Sequence, residues 1–512
     1  MKNKNIADAA ATVLILTVFS KVIGFVESAV VAAYFGTSAQ VDMFFLANSI
    51  ANKFIFTVFS GLSVVGLTMY NSAICKGGQQ GGNRFISALI RLVIPIALLV
   101  TACIYLLSPL VAEVFGKNYS ATDITLLVKY LKQLSVVSVF FALTTIFTAI
   151  LNANKVFFPA VLLGAIQNGT MILFIVFAAK SIGVASVVGG FVFSYVLQTL
   201  FLYICARKVF SFEKSSIRSD IDVKRMTILI LPLMLGEATG EINTLIDQYL
   251  AAKQGTGYIS GLAYSETLND VVTALFIQTV SSVLLSYFSE LAVKKQFNEM
   301  LFELKRIMKI ITLILVPVSI VTVINAKELV SFVFARGSFN GESVKITALA
   351  LVGYAGGFVF KTLMVIVKRP FFAIENTRVP MVMGLVTVVI NISLSIILSR
   401  YIGILGITLG TSVAYTLAAA IYFILLKTFF KEMVWKDCKG FCIKVGIATV
   451  ITTITVVVSK KLIITSDFVC LVYVTLISFG VYFFILKVMR LEEINHVTHY
   501  ILRKVLHEKE KV

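Results

Sequence analysis

Apolar residues in this chain neither alternate nor gather on one helical face. They run on, block after block, with short polar or basic stretches between. The blocks fall near residues 10–35, 43–69, 85–112, 124–152, 157–179, 182–206, 227–252, 262–288, 307–325, 344–367, 379–399, 402–426, 441–459 and 468–487. Each reaches the roughly 18 residues that a helix needs to cross a hydrocarbon core about 30 Å thick. The pattern predicts an all-α polytopic membrane protein with fourteen transmembrane helices. The first block is too long for the apolar core of a cleaved leader and lacks a small-residue cleavage site, so it is read as the first span.

The basic residues orient the chain. With an even number of spans and the amino terminus inside, 30 of the Lys and Arg side chains fall on the cytoplasmic side and nine outside. Retention of basic loops in the cytoplasm produces that asymmetry. Both termini are then cytoplasmic. The composition, 58% hydrophobic and 14% charged, suits this class. The net charge of +19 belongs to the inner loops and does not call for nucleic acid. Six cysteines, Cys75, Cys103, Cys205, Cys438, Cys442 and Cys470, lie in spans or on the inner side, with no His or Cys partners at metal-site spacing. They are read as free thiols.

An internal repeat is visible. A shift of 216 places Gly24 on Gly240 and the stretch LANS (46–49) on LAYS (262–265). A shift of 220 places Ile182, Gly183, Gly190, Tyr195 and Leu197 on Ile402, Gly403, Gly410, Tyr415 and Leu417. NKVFFP before the fifth span likewise resembles NTRVP before the eleventh. The reading is two six-helix lobes in parallel repeat, 1–206 and 227–430, joined by a basic linker at 207–226. Two further helices (431–490) and a cytoplasmic tail (491–512) follow. Such lobes suit a transporter with a cavity that opens alternately to each face. A structural scaffold accounts for the spans but not for the charges inside them.

Those charges are Lys21, Glu27 and Lys53 in the first lobe, with Arg91 nearer an end. In the second they are Glu237 and Glu241 four apart, Asp247 six further on, Glu266 and Asp270 again four apart, and Lys361. A charge at the centre of a span costs about 2.5–3.5 kcal/mol or more, so it is expected to face a polar cavity or a partner. Carboxylates one turn apart repel in low dielectric unless a cation or proton lies between them. They therefore flank water, hold Na⁺ or H⁺, or pair with a lysine.

Signs of catalysis are missing. KGGQQGGNR (76–84) lacks the Lys-Ser/Thr ending of a nucleotide loop. His496, His499 and His507 lie in the tail, where HVTH lacks the glutamate of a zinc-peptidase helix. No enzyme and no organic cofactor is expected; energy would come from an ion gradient or the membrane potential. Trp435 reads as an anchor at the inner interface, and the tail as an amphipathic helix.

The stretches FSKVIGFVESAVVAAYFG, VDMFFLANSI, ILNANKVFFPA, FARGSF and FFAIENTRVP resemble those of the MurJ (MviN) lipid II flippases, of the multidrug/oligosaccharidyl-lipid/polysaccharide exporter superfamily. The resemblance covers nearly the whole chain. It implies a bacterial cytoplasmic-membrane protein, acting as a monomer, that moves an undecaprenyl-pyrophosphate-linked precursor for cell-wall synthesis. Lys21 stands where the family has a cavity arginine, and Asp42 matches its aspartate before span two. Asp247 falls on the acidic position that resembles a sodium site, with Asn391, Ser395 and Thr411 as the remaining oxygen donors. Ser395 stands where an acid can be found. Glu27 replaces a second arginine, the paired arginines of span two fall on Ile55 and Phe56, and that of span eight on Thr267. Lys53 is then the cation left in span two, and lysine meets a diphosphate as a point charge where arginine makes a fork.

The candidate substrate site is Lys21, Glu27, Asp42, Lys53, Glu241 and Glu266. The candidate cation site is Asp247, Asn391, Ser395 and Thr411, with Na⁺ or H⁺ as coupling ion. A flippase of lipid II or a related lipid-linked glycan leads. A cation-coupled multidrug exporter of the same superfamily and a non-transporting scaffold are the alternatives.

Overall fold

The computed structural model describes residues 2–430, 436–461, 467–491 and 493–494. Trp435, the three histidines and the tail beyond Ile494 lie outside these residues, so the anchor and tail-helix readings are not addressed. Every described element is helical. In chain order they are α1 (Lys2–Phe35), α2 (Ala39–Phe115), α3 (Ala121–Ser135), α4 (Val137–Ala153), α5 (Phe158–Ile182), α6 (Ala185–Ala206), α7 (Ile217–Asp220), α8 (Val223–Ala252) and α9 (Tyr258–Val293). Then follow α10 (Phe297–Ile324), α11 (Ala326–Phe334), α12 (Gly341–Ala355), α13 (Phe358–Val367), α14 (Arg369–Ala373), α15 (Arg378–Phe429), α16 (Lys436–Lys461) and α17 (Asp467–Val488).

Nine of these, and α3 with α4 taken together, make ten helices long and apolar enough to cross a membrane among the described residues, or eleven when the pair α12 and α13–α14, bent by 43°, is taken as one. That differs from the fourteen blocks of the sequence, and the reason is partly geometric. The 77-residue α2 would be over 100 Å long if straight, several times the hydrocarbon thickness. It breaks at Gly77 and Gly78, the latter at φ +61°. Beyond the break the second arm returns along the first, bringing Leu89 beside Gly66. The 52-residue α15 breaks in the same way at Ile402 and Gly403, the latter at φ +59°. Only glycine enters that region without strain, which is why the folds-back sit there. Each of these two helices is therefore a hairpin of two membrane-length arms.

The repeat seen in the sequence has a conformational counterpart. Gly183, which ends α5, and Gly403, the break of α15, share φ/ψ values of 58°/−141° and 59°/−136°. They are 220 residues apart. So are Lys155 and Glu375, non-glycine residues at φ 60° and 59° in the turns before α5 and α15. Equal backbone strain at equal spacing in two hairpins is hard to obtain from chance matches between greasy helices.

The chain divides into two compact units, residues 1–264 with 334–343, and residues 265–333 with 344–512. In the first, α1 lies on α5, where Gly24 meets Asn168 and Gly164 meets Ser20, while the arms of α2 pack on α3, α4 and α8. Phe44, Leu46, Ile55, Leu134 and Ile150 are fully buried there. In the second, α9, α10, α13, α14 and α15 share a core around Phe288, Met308, Phe371 and Tyr422. Helices α16 and α17 join it through Leu313, Phe441, Tyr482 and Leu486. Lys309 bonds Glu493 at 2.5 Å and Lys460 bonds Glu328 at 2.8 Å.

The linker is not loose along its first half. Gln79 donates to the Val209 carbonyl (2.6 Å), Asn83 to the Ser211 hydroxyl (2.9 Å), and Arg91 to the Ser215 carbonyl (2.5 Å), while the Glu213 amide donates to Ser87 (3.0 Å). Helix positions 79, 83, 87 and 91 thus meet chain positions 209, 211, 213 and 215. Four helical residues rise about 6.0 Å and two extended residues about 6.6 Å, so the two periods stay in step. Replacing Asn83 and Ser87 together by Ala should free this strap. Trypsin cleavage at Lys208 or Lys214 in intact inverted vesicles is expected to quicken several-fold, and an unchanged rate would show that the strap is held otherwise.

Candidate functional site

Lys53 lies on the first arm of α2 and Glu241 on α8. Their side chains meet at 2.5 Å, each about one-fifth exposed. Both border a cavity of about 350 Å³ whose wall is otherwise mostly Ile50, Phe54, Ile104, Leu107, Leu131 and Ile242. A lysine inside an apolar helix needs a counter-charge, and α8 supplies one. Of the two acids one turn apart on α8, Glu241 takes the lysine, and Glu237 is exposed. Pairing is the outcome here among those the spacing allowed.

Lys21 is exposed on α1. Glu27, on the same helix, is half-buried and accepts from the neighbouring Ser28 hydroxyl at 3.4 Å. Asp42, in the first turn of α2, is completely buried. It accepts from the Tyr119 hydroxyl (2.8 Å), the Gly257 amide (2.5 Å), and the Ser260 amide and hydroxyl (2.8 and 2.6 Å). Four donors fill the lone pairs of a carboxylate, so Asp42 ties the α1–α2 and α8–α9 turns together. Burial and the adjacent Asp42 charge push the Tyr119 phenol above its ordinary range, which keeps it a donor.

The RGSF stretch packs in the same unit. The Ser338 amide donates to the Ala33 carbonyl at 2.8 Å and its hydroxyl to Tyr34 at 2.9 Å, capping the end of α1. Gly337 sits at φ +59° with Ala33 so close that a Cβ would lie 2.1 Å from its carbonyl oxygen. The Thr37 and Ser343 hydroxyls bond at 2.7 Å. Neither Tyr119 nor Ser260 stood out in the sequence, because a lone Tyr or Ser between spans carries no periodic or charge signal. The glycines of GTGYIS (255–260) were the available hint.

In the second unit Glu266 accepts from Tyr354 at 3.3 Å, and Asp270, one turn on, lies 3.9 Å from the Lys361 ammonium. Asn391, Ser395 and Thr411 are buried together between the arms of α15. The Asn391 carbonyl oxygen accepts from Ser395 (2.9 Å) and Thr411 (3.4 Å), and both hydroxyls also reach the Ile407 carbonyl. This trio satisfies itself; a cation there would have to turn those hydroxyls outward. Asp247 is buried near the end of α8, in the first unit. Among the described residues no group of three His, Cys, Asp or Glu has the spacing of a metal centre.

A family model for the lipid II flippase MurJ matches residues 31–479. The chain belongs to the MurJ family. A relative from Treponema pallidum, named a probable lipid II flippase MurJ, is 25% identical over 437 residues, 82% of this chain and 80% of its own. A solved lipid II flippase MurJ in an inward closed conformation matches at TM-score 0.80 and 24% identity over 94% of this chain and 98% of its own. A multidrug resistance MATE transporter in an inward-facing conformation matches at TM-score 0.67 and 14% identity over 81% and 97%. These likenesses give the fold. This MurJ-family chain is accordingly a multi-pass membrane protein, with the all-helical architecture that its apolar blocks predict.

The Lys53–Glu241 pair makes its energetics measurable. Lys53→Met should lower stability by about 1–3 kcal/mol, since it strands a carboxylate in an apolar wall. Adding Glu241→Gln should restore part of the loss, and denaturant titration in detergent would read that coupling; additive losses would argue against the pair. Asp42→Asn should cost about 2 kcal/mol or more, because the amide turns an NH₂ toward fixed donors, whereas Tyr119→Phe should cost about 1 kcal/mol. Thermal unfolding of the two purified variants orders them.

Proposed function

We propose that this chain is a flippase that moves a lipid-linked cell-wall precursor, lipid II or a related undecaprenyl-pyrophosphate glycan, across the bacterial cytoplasmic membrane. The observation that carries this reading is the family match along residues 31–479, nearly the whole chain. The relatives' names supply the substrate class, and the membrane-embedded cations supply a reason for it. Lys21 and Lys53 are the charges that would meet a pyrophosphate, each as a point charge. In this reading Glu241 holds Lys53 until the substrate arrives, Glu27 and Glu266 act on parts of the glycan, and Asp42 fixes the outer turns.

The cycle we propose is alternating access of the six-span halves 1–206 and 227–430, both termini staying in the cytoplasm. Its coupling ion would be Na⁺ or H⁺, with Asp247 as the acid and the Asn391, Ser395 and Thr411 oxygens as neutral donors. The chain would act as a monomer on a lipid substrate and catalyse no bond change. A second reading, a cation-coupled drug exporter, is favoured by the acids Glu266 and Asp270 beside Tyr354 and Lys361.

Expression in a strain depleted of its own flippase separates them. Growth should be sustained by the unaltered chain and abolished by Lys21→Ala at equal protein level. If the chain fails to sustain growth but confers drug resistance that is lost in Glu266→Gln, the exporter reading replaces this one.

A further inference from the structure

A hydroxyl on a membrane-length helix can satisfy itself by bonding back into its own helix. On α10, α16 and α17, Thr312, Thr322, Thr449, Thr455 and Thr475 do so, each donating to the carbonyl four residues earlier at 2.7–2.9 Å. Ser319, Thr452 and Ser478 on the same three helices are exceptions. Their hydroxyl oxygens are covered and have no hydrogen-bond partner among the described residues. Thr452 and Ser478 are completely buried. One turn from Ser478, the hydroxyl of the fully buried Tyr482 is likewise covered and unpartnered. An unmade hydrogen bond in such surroundings is costly, so these groups call for a partner.

The three hydroxyls lie at one level. Helices α10, α16 and α17 pack on one another. Leu313, Ala448 and Tyr482 belong to one apolar cluster of that seam, and Val456 and Val474 to a second, against which Ile324 packs. Thr452 stands four residues from Ala448 and four from Val456, and Ser478 four from Val474 and four from Tyr482. Ser319 stands six beyond Leu313 and five before Ile324. Each is therefore a little over one turn from either cluster, halfway along the seam. Two serines and a threonine are smaller than the Leu313, Phe441 and Leu486 side chains that space the helices, which leaves room at this level. No charged side chain stands between Lys309 and Lys327, between Lys444 and Lys460, or between Asp467 and Lys487. The partner is then neutral, small, and able both to donate and to accept. We propose that the seam holds internal water, bonded to the Ser319, Thr452 and Ser478 hydroxyls and reaching that of Tyr482. Three partners is the usual number for a buried water. It fastens α16 and α17 to α10 at mid-span, and this fastening does not depend on the flippase reading.

Radiolytic footprinting of the full chain in phosphatidylcholine nanodiscs reads this water. An X-ray pulse converts bound water to hydroxyl radical, and mass spectrometry then measures oxidation of the nearest ring. Tyr264 is the control, since it is as deeply buried but its hydroxyl donates to the Gly36 carbonyl at 3.0 Å. Tyr482 should be oxidised several-fold faster than Tyr264. Thr452→Val combined with Ser478→Ala removes two of the three partners with little change of volume, and Tyr482 oxidation should fall to the Tyr264 rate. Should the double variant misfold, Ser319→Ala alone should lower the rate part of the way, while Thr452→Ser should leave it unchanged. A Tyr482 rate no higher than that of Tyr264 in the unaltered chain would overturn the assignment, because the hydroxyls would then be bonding within their own helices. A fast rate that survives removal of the hydroxyls would overturn it as well, since bulk water would be reaching the ring.

Discussion

A membrane interior offers no water to a polar group, so each buried charge or hydroxyl must find its partner within the chain. Several ionisable and polar side chains on the long apolar helices meet this constraint directly. Lys53 is met by Glu241, Lys361 by Asp270, and Lys460 by Glu328. Asp42 is met by four donors. The hydroxyls of Ser395 and Thr411 close on Asn391 and on a backbone carbonyl. Helices that would slide freely over one another in lipid are registered by these few polar contacts.

The contacts divide into two kinds. Those of Asp42 are saturated: no acceptor capacity is left for a ligand, and they hold turns. That of Lys53 is a single carboxylate on a wall with open space beside it, and such a pair can be exchanged. The difference follows from counting donors and acceptors, not from burial alone. It explains why two charged residues about three turns apart on one helix take such different parts.

Much of the fold was legible because hydrophobicity is additive along a chain. Fourteen apolar blocks, the bias of basic loops and the shift of 220 were plain in the residues. The two positive-φ pairs, Lys155 with Glu375 and Gly183 with Gly403, give that shift a conformational form. The site was less legible. Spacing put Glu237 and Glu241 on one face but could not say which would reach a lysine 188 residues away. Nor could it foresee that Tyr119 and Ser260 would fill Asp42, since neither residue type is unusual where it stands.

What the sequence determined by itself is everything that depends on runs and sums: a helical chain in a membrane, its loop charges, its twofold internal pattern and the list of ionisable groups that hydrocarbon would reject. What only the tertiary structure decided is who satisfies whom. Transfer cost belongs to each residue alone and can be read in order, whereas a hydrogen bond or an ion pair needs two groups within about 3 Å, and that distance exists only after the helices have packed.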